Sequence, residues 1–230
     1  MRPKEFVLLS ARLLLLAVLG ASLSGCVLAT VRSLDEDTEA KIGFTGESYV
    51  EEIWEDELLP VYDEQAQDLG TLLELLRSDP DAAIEQYGHR SGTGPYAFMV
   101  RGEAQVVTLD TSSRSGIITL DLTPPDGTPD ATMAIGPLIK VSQRGAVRDA
   151  VGIIQYGSFT NQEEFAGVAT AMGDRITAMI AEALGLDTID ASRERDPAQV
   201  EGKTIEFIGA ISMENLDNVI VVPVRLRMAE

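Results

Sequence analysis

The chain has 230 residues and carries 18 Lys and Arg against 37 Asp and Glu, a formal charge of −19. A chain so acidic repels nucleic-acid phosphate and anionic lipid headgroups, which excludes nucleic acid as a partner. With one cysteine and one histidine there is neither a disulfide framework nor a cluster of soft metal ligands, so no metal and no cofactor is expected.

The N-terminus has the layout of an export signal over 1–25. Arg2, Lys4 and Arg12 precede an apolar run from Leu13 to Leu23, too short against the roughly 20 apolar residues that span a bilayer. The run ends in Leu23-Ser24-Gly25-Cys26, which is similar to the bacterial lipobox. In that signal the small residues admit the peptidase, the thiol accepts a diacylglyceryl group, and cleavage makes the cysteine the new N-terminus. Cys26 is therefore the expected lipidation site and membrane lipid its partner. Each buried acyl methylene contributes about 0.8 kcal/mol, and more than one chain is needed for stable anchoring. Removing the signal takes away three basic residues and one acid, leaving 15 positive against 36 negative and a net charge of about −21. Val27 follows the cysteine where the usual sorting rule places aspartate for inner-membrane retention, so either membrane remains open, on the periplasmic side.

Residues 26–45 turn from apolar to acidic at Asp35, Glu36, Asp37 and Glu39 and read as a lipidated tether. A helical segment is expected over 46–92. Leu58, Tyr62, Ala66, Leu69, Leu72, Leu73 and Leu76 recur at three and four, with helices over 47–58 and 60–77 parted at Pro60. Asp79-Pro80 opens a further short helix that Gly88 stops.

From 93 to 230 the period changes to two. Strands are expected from Tyr96 to Leu109, Ile118 to Leu122 and Ala131 to Ile135, with turns at 111–116 and at Pro124-Pro125-Asp126-Gly127. A long helix follows on the stripe Phe165, Val168, Ala169, Met172, Ile176, Met179, Ile180 and Ala183, opened by a Thr160/Glu163 capping box and stopped by Gly185. After a polar connection over 186–200, two strands run from Ile205 to Met213 and from Val222 to Met228. The fold class is α+β: an N-terminal helical segment, then an OB-like five-stranded β-barrel with a long helix between its third and fourth strands.

Catalysis finds little footing. His89 follows Gly88 at a helix end, where it suits helix capping better than a base. Acylation of Cys26 would leave no thiol nucleophile, and two carboxylates suited to glycoside hydrolysis cannot be singled out among so many acids. No catalytic residue is assigned. The polar stretch from Arg144 to Gln162 is the candidate ligand site. Arg148, Asp149, Asn161 and Gln162 could hold a sugar hydroxyl or a carboxylate, or could tie down a connection and cap a helix. Trp54 and Tyr62 could stack a sugar, although their separation by eight residues suits core packing.

Several motifs resemble the DUF2291 family of predicted periplasmic lipoproteins. They are Tyr49-Val50 with Trp54 and Leu58-Leu59-Pro60, Gln86-Tyr87-Gly88 with Arg90, Gly136-Pro137, Arg148-Asp149-Ala150, and Phe159-Thr160-Asn161-Gln162. The resemblance spans about residue 40 to the C-terminus. It implies no catalytic residue, and it implies an accessory role beside a sugar ABC importer, with a transporter subunit, its binding protein or a sugar as partner. An envelope structural or assembly factor without a small ligand is the alternative reading.

Overall fold

The computed structural model describes residues 44–110, 116–135, 141–185, 200–214 and 216–229. Outside them lie the expected signal, Cys26, Val27 and the tether to residue 43, most of the turn after the first long strand, the Gly136-Pro137 motif and nearly all of the 186–200 connection. The side chain of Arg144 is also outside them.

Helix α1 (Gly46–Ile53) starts on Thr45, whose Oγ1 accepts the Ser48 N–H at 3.0 Å. Trp54–Leu58 then winds as a single π-turn into α2 (Leu59–Gln65), with Pro60 as the second residue of α2. The break in the helical stripe falls later than Pro60 implies. Ala66 is extended, Gln67–Asp68 forms a two-residue strand β1, and α3 (Leu69–Ser78) restarts from Asp68, whose Oδ1 accepts the Thr71 N–H at 2.8 Å. Leu58, Tyr62, Ala66, Leu69, Leu72, Leu73 and Leu76 are nevertheless all buried, because the break keeps one apolar side facing inward. Helix α4 (Pro80–Tyr87) is capped by Asp79 and ends at Gly88.

Five further strands follow: β2 (Ala97–Asp110), β3 (Ile117–Leu122), β4 (Ala131–Ala134), β5 (Thr204–Ser212) and β6 (Ile220–Met228). Their order is β1-β2-β3-β4-β6-β5, and β5 pairs back onto β2, so the pairings from β2 onward return to their start. The β4–β6 and β1–β2 pairs are parallel and the others antiparallel. The described sheet thus has six strands where five were expected. The sixth is β1, too short to leave an alternating pattern in the sequence.

Among the described residues, two α-helices and the 3-10 turn Tyr156–Ser158 lie between β4 and β5. The long α6 (Gln162–Ala183) ends with Gly185 at φ +63°, the left-handed conformation that stops a helix. Its N-cap is Asn161, one residue after the expected Thr160. The Asn161 Oδ1 accepts the Glu164 N–H at 2.9 Å, and Glu164 Oε2 accepts the Thr160 N–H at 2.9 Å. Before it, α5 (Val141–Ala150) takes in the start of the polar stretch from Arg144 to Gln162. Ala146, Val147, Ala150, Val151 and Ile154 are buried at helical spacing, a stripe disguised by small residues and by Gly145. All these elements share one apolar core that runs from Val50 in α1 to Val224 in β6.

Candidate functional site

The expected ligand residues fall into two separate structural devices. On α5, Arg148 and Asp149 are neighbours and almost buried, with side-chain exposures of 12% and 10%. Arg148 Nε donates to Asp149 Oδ1 at 2.8 Å and Nη1 donates to the Phe165 carbonyl at 3.1 Å. Its guanidinium carbon lies 3.5 Å from the centroid of the Phe165 ring. Both donor edges and one face of the guanidinium are thereby engaged within the fold. Asp149 also acts on Tyr62, whose hydroxyl donates to the Val147 carbonyl at 2.9 Å in the core. Burial, and next the carboxylate of Asp149, hold the Tyr62 phenol well above its ordinary value of 10.0.

Asn161 is occupied as the α6 cap, its Nδ2 also donating to Glu164 Oε1 at 3.2 Å, and Gln162 stands exposed at the first helical position. No hydrogen bond joins this pair to Arg148 or Asp149 among the described residues. Phe165 is what links the two devices, one helical turn into α6.

Trp54 and Tyr62 are buried and pack in the core, as their spacing indicates. His89 does not cap a helix through its ring. Its backbone exchanges hydrogen bonds with Ala97, His89 N–H to Ala97 O at 2.9 Å and Ala97 N–H to His89 O at 2.7 Å, and its imidazole lies against Gly152. Arg90 stacks 4.5 Å from the centroid of Tyr96. Among the described residues no group of three or more metal-ligating side chains converges and no helix is long and apolar enough to cross a membrane.

A groove of about 730 Å³ opens elsewhere, where β2, β5 and β6 meet the π-turn and α6. Its apolar lining comes from Trp54, Leu59, Phe207 and Val224, with Met179 from α6. Phe207 packs over Gly102, where a Cβ would sit 2.8 Å from the ring edge, so only glycine leaves the ring its place. The charged lining includes Arg101, Arg225 and Arg227 with Glu103 and Glu206. Arg225 grips Asp63 through two bonds of 2.9 Å, and Arg101 donates to the carbonyls of Ala66 at 2.8 Å and Asp63 at 2.6 Å. These bonds tie the helical segment to the sheet and fix the position of the cations. Glu103 and Glu206 are partners across β2 and β5, but Arg227 binds Glu206 and Glu103 accepts from Thr123 Oγ1 at 3.4 Å.

The groove was not legible in the sequence. Arg225 and Arg227 alternate there with Val224, Leu226 and Met228. The link of Arg225 to Asp63 spans 162 residues and leaves no local pattern.

The structure is similar to that of an OB-fold protein from Thermotoga maritima, with a TM-score of 0.59 and 15% sequence identity, over 81% of this chain and 99% of that one. That likeness shows an OB-type fold. No curated protein matches the chain. The profile of a family described as predicted periplasmic lipoprotein (DUF2291) matches residues 16–227.

Proposed function

The chain belongs to the DUF2291 family of predicted periplasmic lipoproteins, and from that premise we propose a non-enzymatic binding protein of the envelope, anchored by lipid on Cys26, whose OB-like barrel carries its ligand in the β2/β5/β6 groove. The observation that carries this reading is the groove lining: buried aromatic and aliphatic surface beside arginines and carboxylates held in place by bonds to the scaffold. Ligand sites combine an apolar concavity with a few fixed polar groups in this way. A small polyhydroxylated ligand suits the lining, since hydroxyls can both donate to Glu103 and accept from Arg101 while a sugar's apolar face rests on hydrocarbon. This supports the narrower reading, an accessory role beside a sugar ABC importer. The absence of enzymatic activity belongs to the same reading: Glu103 and Glu206 are open to solvent or paired with arginine, not set as an acid and base across a bound substrate.

Thermal shift of the full lipidated protein in detergent, across a panel of sugars, tests it. A ligand that binds only the folded state stabilises by about 2.7 kcal/mol at a hundred times its Kd, and the shift with the active sugar should shrink in Glu103→Ala, which removes an exposed carboxylate of the groove. No shift with any sugar, together with unchanged uptake across the panel after gene deletion, overturns the sugar reading in favour of a structural or assembly factor.

A further inference from the structure

Five aromatic rings form a continuous ladder on one side of the protein. Phe44 meets Phe159 at 5.7 Å and Tyr49 at 5.8 Å, Tyr49 meets Phe159 at 5.5 Å, Phe159 meets Phe165 at 5.5 Å, and Phe165 meets Tyr156 at 5.3 Å. At its far end the apolar surface is uncovered. Among the described residues three large apolar side chains are exposed, and two of them, Ile153 at 42% and Tyr156 at 49%, lie close together after α5, Tyr156 opening the 3-10 turn Tyr156–Ser158. At its near end stands Phe44, the residue through which the chain leads back to Cys26, 18 positions earlier. An extended chain of that length reaches at most about 60 Å, and it joins the described residues at Phe44, the first ring of this ladder.

We propose that the Ile153–Tyr156 loop is a membrane-contact element that seats in the interfacial layer of the lipid bilayer holding the anchor. This rests on Cys26 being lipidated. Tyrosine, with an apolar ring and a polar tip, is the residue type that settles at the headgroup level, and isoleucine beside it supplies hydrocarbon. The loop is backed by rings packed on one another and by Arg148 stacked on Phe165, so it is presented rigidly. Glu163 and Glu164 at the start of α6, with Glu47, Glu51 and Glu52 on α1, flank the ladder with negative charge. The contact is therefore apolar rather than electrostatic and suits neutral lipid.

The experiment uses the lipidated mature protein in phosphatidylcholine vesicles. Because acylation consumes Cys26, one introduced cysteine takes an environment-sensitive fluorophore selectively. Ser158→Cys places it in the 3-10 turn. Lys203→Cys serves as control. Gly152 packs on His89, which pairs with Ala97, whereas the Lys203 carbonyl binds Val106, nine residues along β2, or about 30 Å away. The Ser158 label should shift to the blue on vesicles and be quenched by lipids carrying the quencher about 5–10 Å below the surface, while the Lys203 label stays in water. Ile153→Ser with Tyr156→Ser should abolish the shift and leave co-sedimentation unchanged.

A water-like Ser158 label on co-sedimenting protein overturns the proposal while leaving the lipid anchor intact. Two labels per chain and no co-sedimentation overturn both. A label shielded in cells but not on vesicles assigns the loop to a protein partner and likewise overturns the lipid assignment.

Discussion

Arg148 reaches Phe165 twice, once through its guanidinium face over the ring at 3.5 Å and once through Nη1 to the backbone carbonyl at 3.1 Å. The same side chain is held by Asp149 at 2.8 Å. Asp149→Ala therefore strands a nearly buried cation, and removing one partner of such a pair costs about 3–5 kcal/mol. Arg148→Met with Asp149→Ala should recover part of that loss, because the charge goes and the hydrocarbon remains. Denaturant unfolding of both variants measures it. A double variant less stable than Asp149→Ala alone would show that the carbonyl bond to Phe165 outweighs the ion pair.

Tyr62 supplies a pH dependence. Its phenol is raised above 10.0 in the folded protein by burial and by Asp149. Below about pH 10 both folded and unfolded chains keep the proton, so the group leaves stability unchanged there. Above it the unfolded chain releases the proton while the folded chain retains it, and stability falls as pH rises. Tyr62→Phe should flatten that alkaline decline. At neutral pH it should cost about 1–3 kcal/mol, since the buried Val147 carbonyl loses its donor.

The true cap of α6 can be read by a pair of substitutions. Asn161→Ala should cost about 1 kcal/mol through loss of the bond to the Glu164 N–H. Thr160→Ala should stay within about 0.5 kcal/mol, because its backbone N–H rather than its side chain takes part. A larger loss at Thr160 than at Asn161 would place the cap at Thr160.

Gly46→Ala probes the contact of α1 with α6. A Cβ at Gly46 would stand 2.4 Å from the carbonyl carbon and oxygen of Gly167, and backbone cannot yield as a side chain tip does. Overpacking of that kind costs about 1–3 kcal/mol. Gly167→Ala should be mild by comparison, since nothing lies within 4 Å of its Cβ position. Melting temperatures of the two variants should differ clearly.

Cys26→Ser should release the protein from membranes if lipid on this residue is the anchor. Fractionation reads it directly, and the distribution of the native protein between the two membranes settles the sorting implied by Val27.

Local sequence specifies structure where one residue type has one physical use. The Asp79-Pro80 start and Gly88 stop of α4, Gly185 after α6, and the alternating runs of β2, β3, β5 and β6 follow from backbone sterics and from apolar periodicity. The failures share a cause. Helix α5 hides its buried stripe behind alanines and a glycine, β1 has only Gln67 and Asp68, and Thr160 and Asn161 both have the chemistry of a cap.

By itself the sequence determined the α+β class, the strand alternation, the acidity of the surface and the family signature, because each of these depends on residue type and spacing along the chain. The tertiary structure decided the rest. Arg148 and Asp149 became a tie to Phe165, and the groove assembled from Trp54, Gly102, Phe207 and Arg225, contributed by segments far apart in the chain. Whether an arginine is free for a ligand or already satisfied depends on which backbone carbonyl and which ring lie beside it. Only the closing of β5 onto β2, and the packing of α6 across that sheet, set those neighbours.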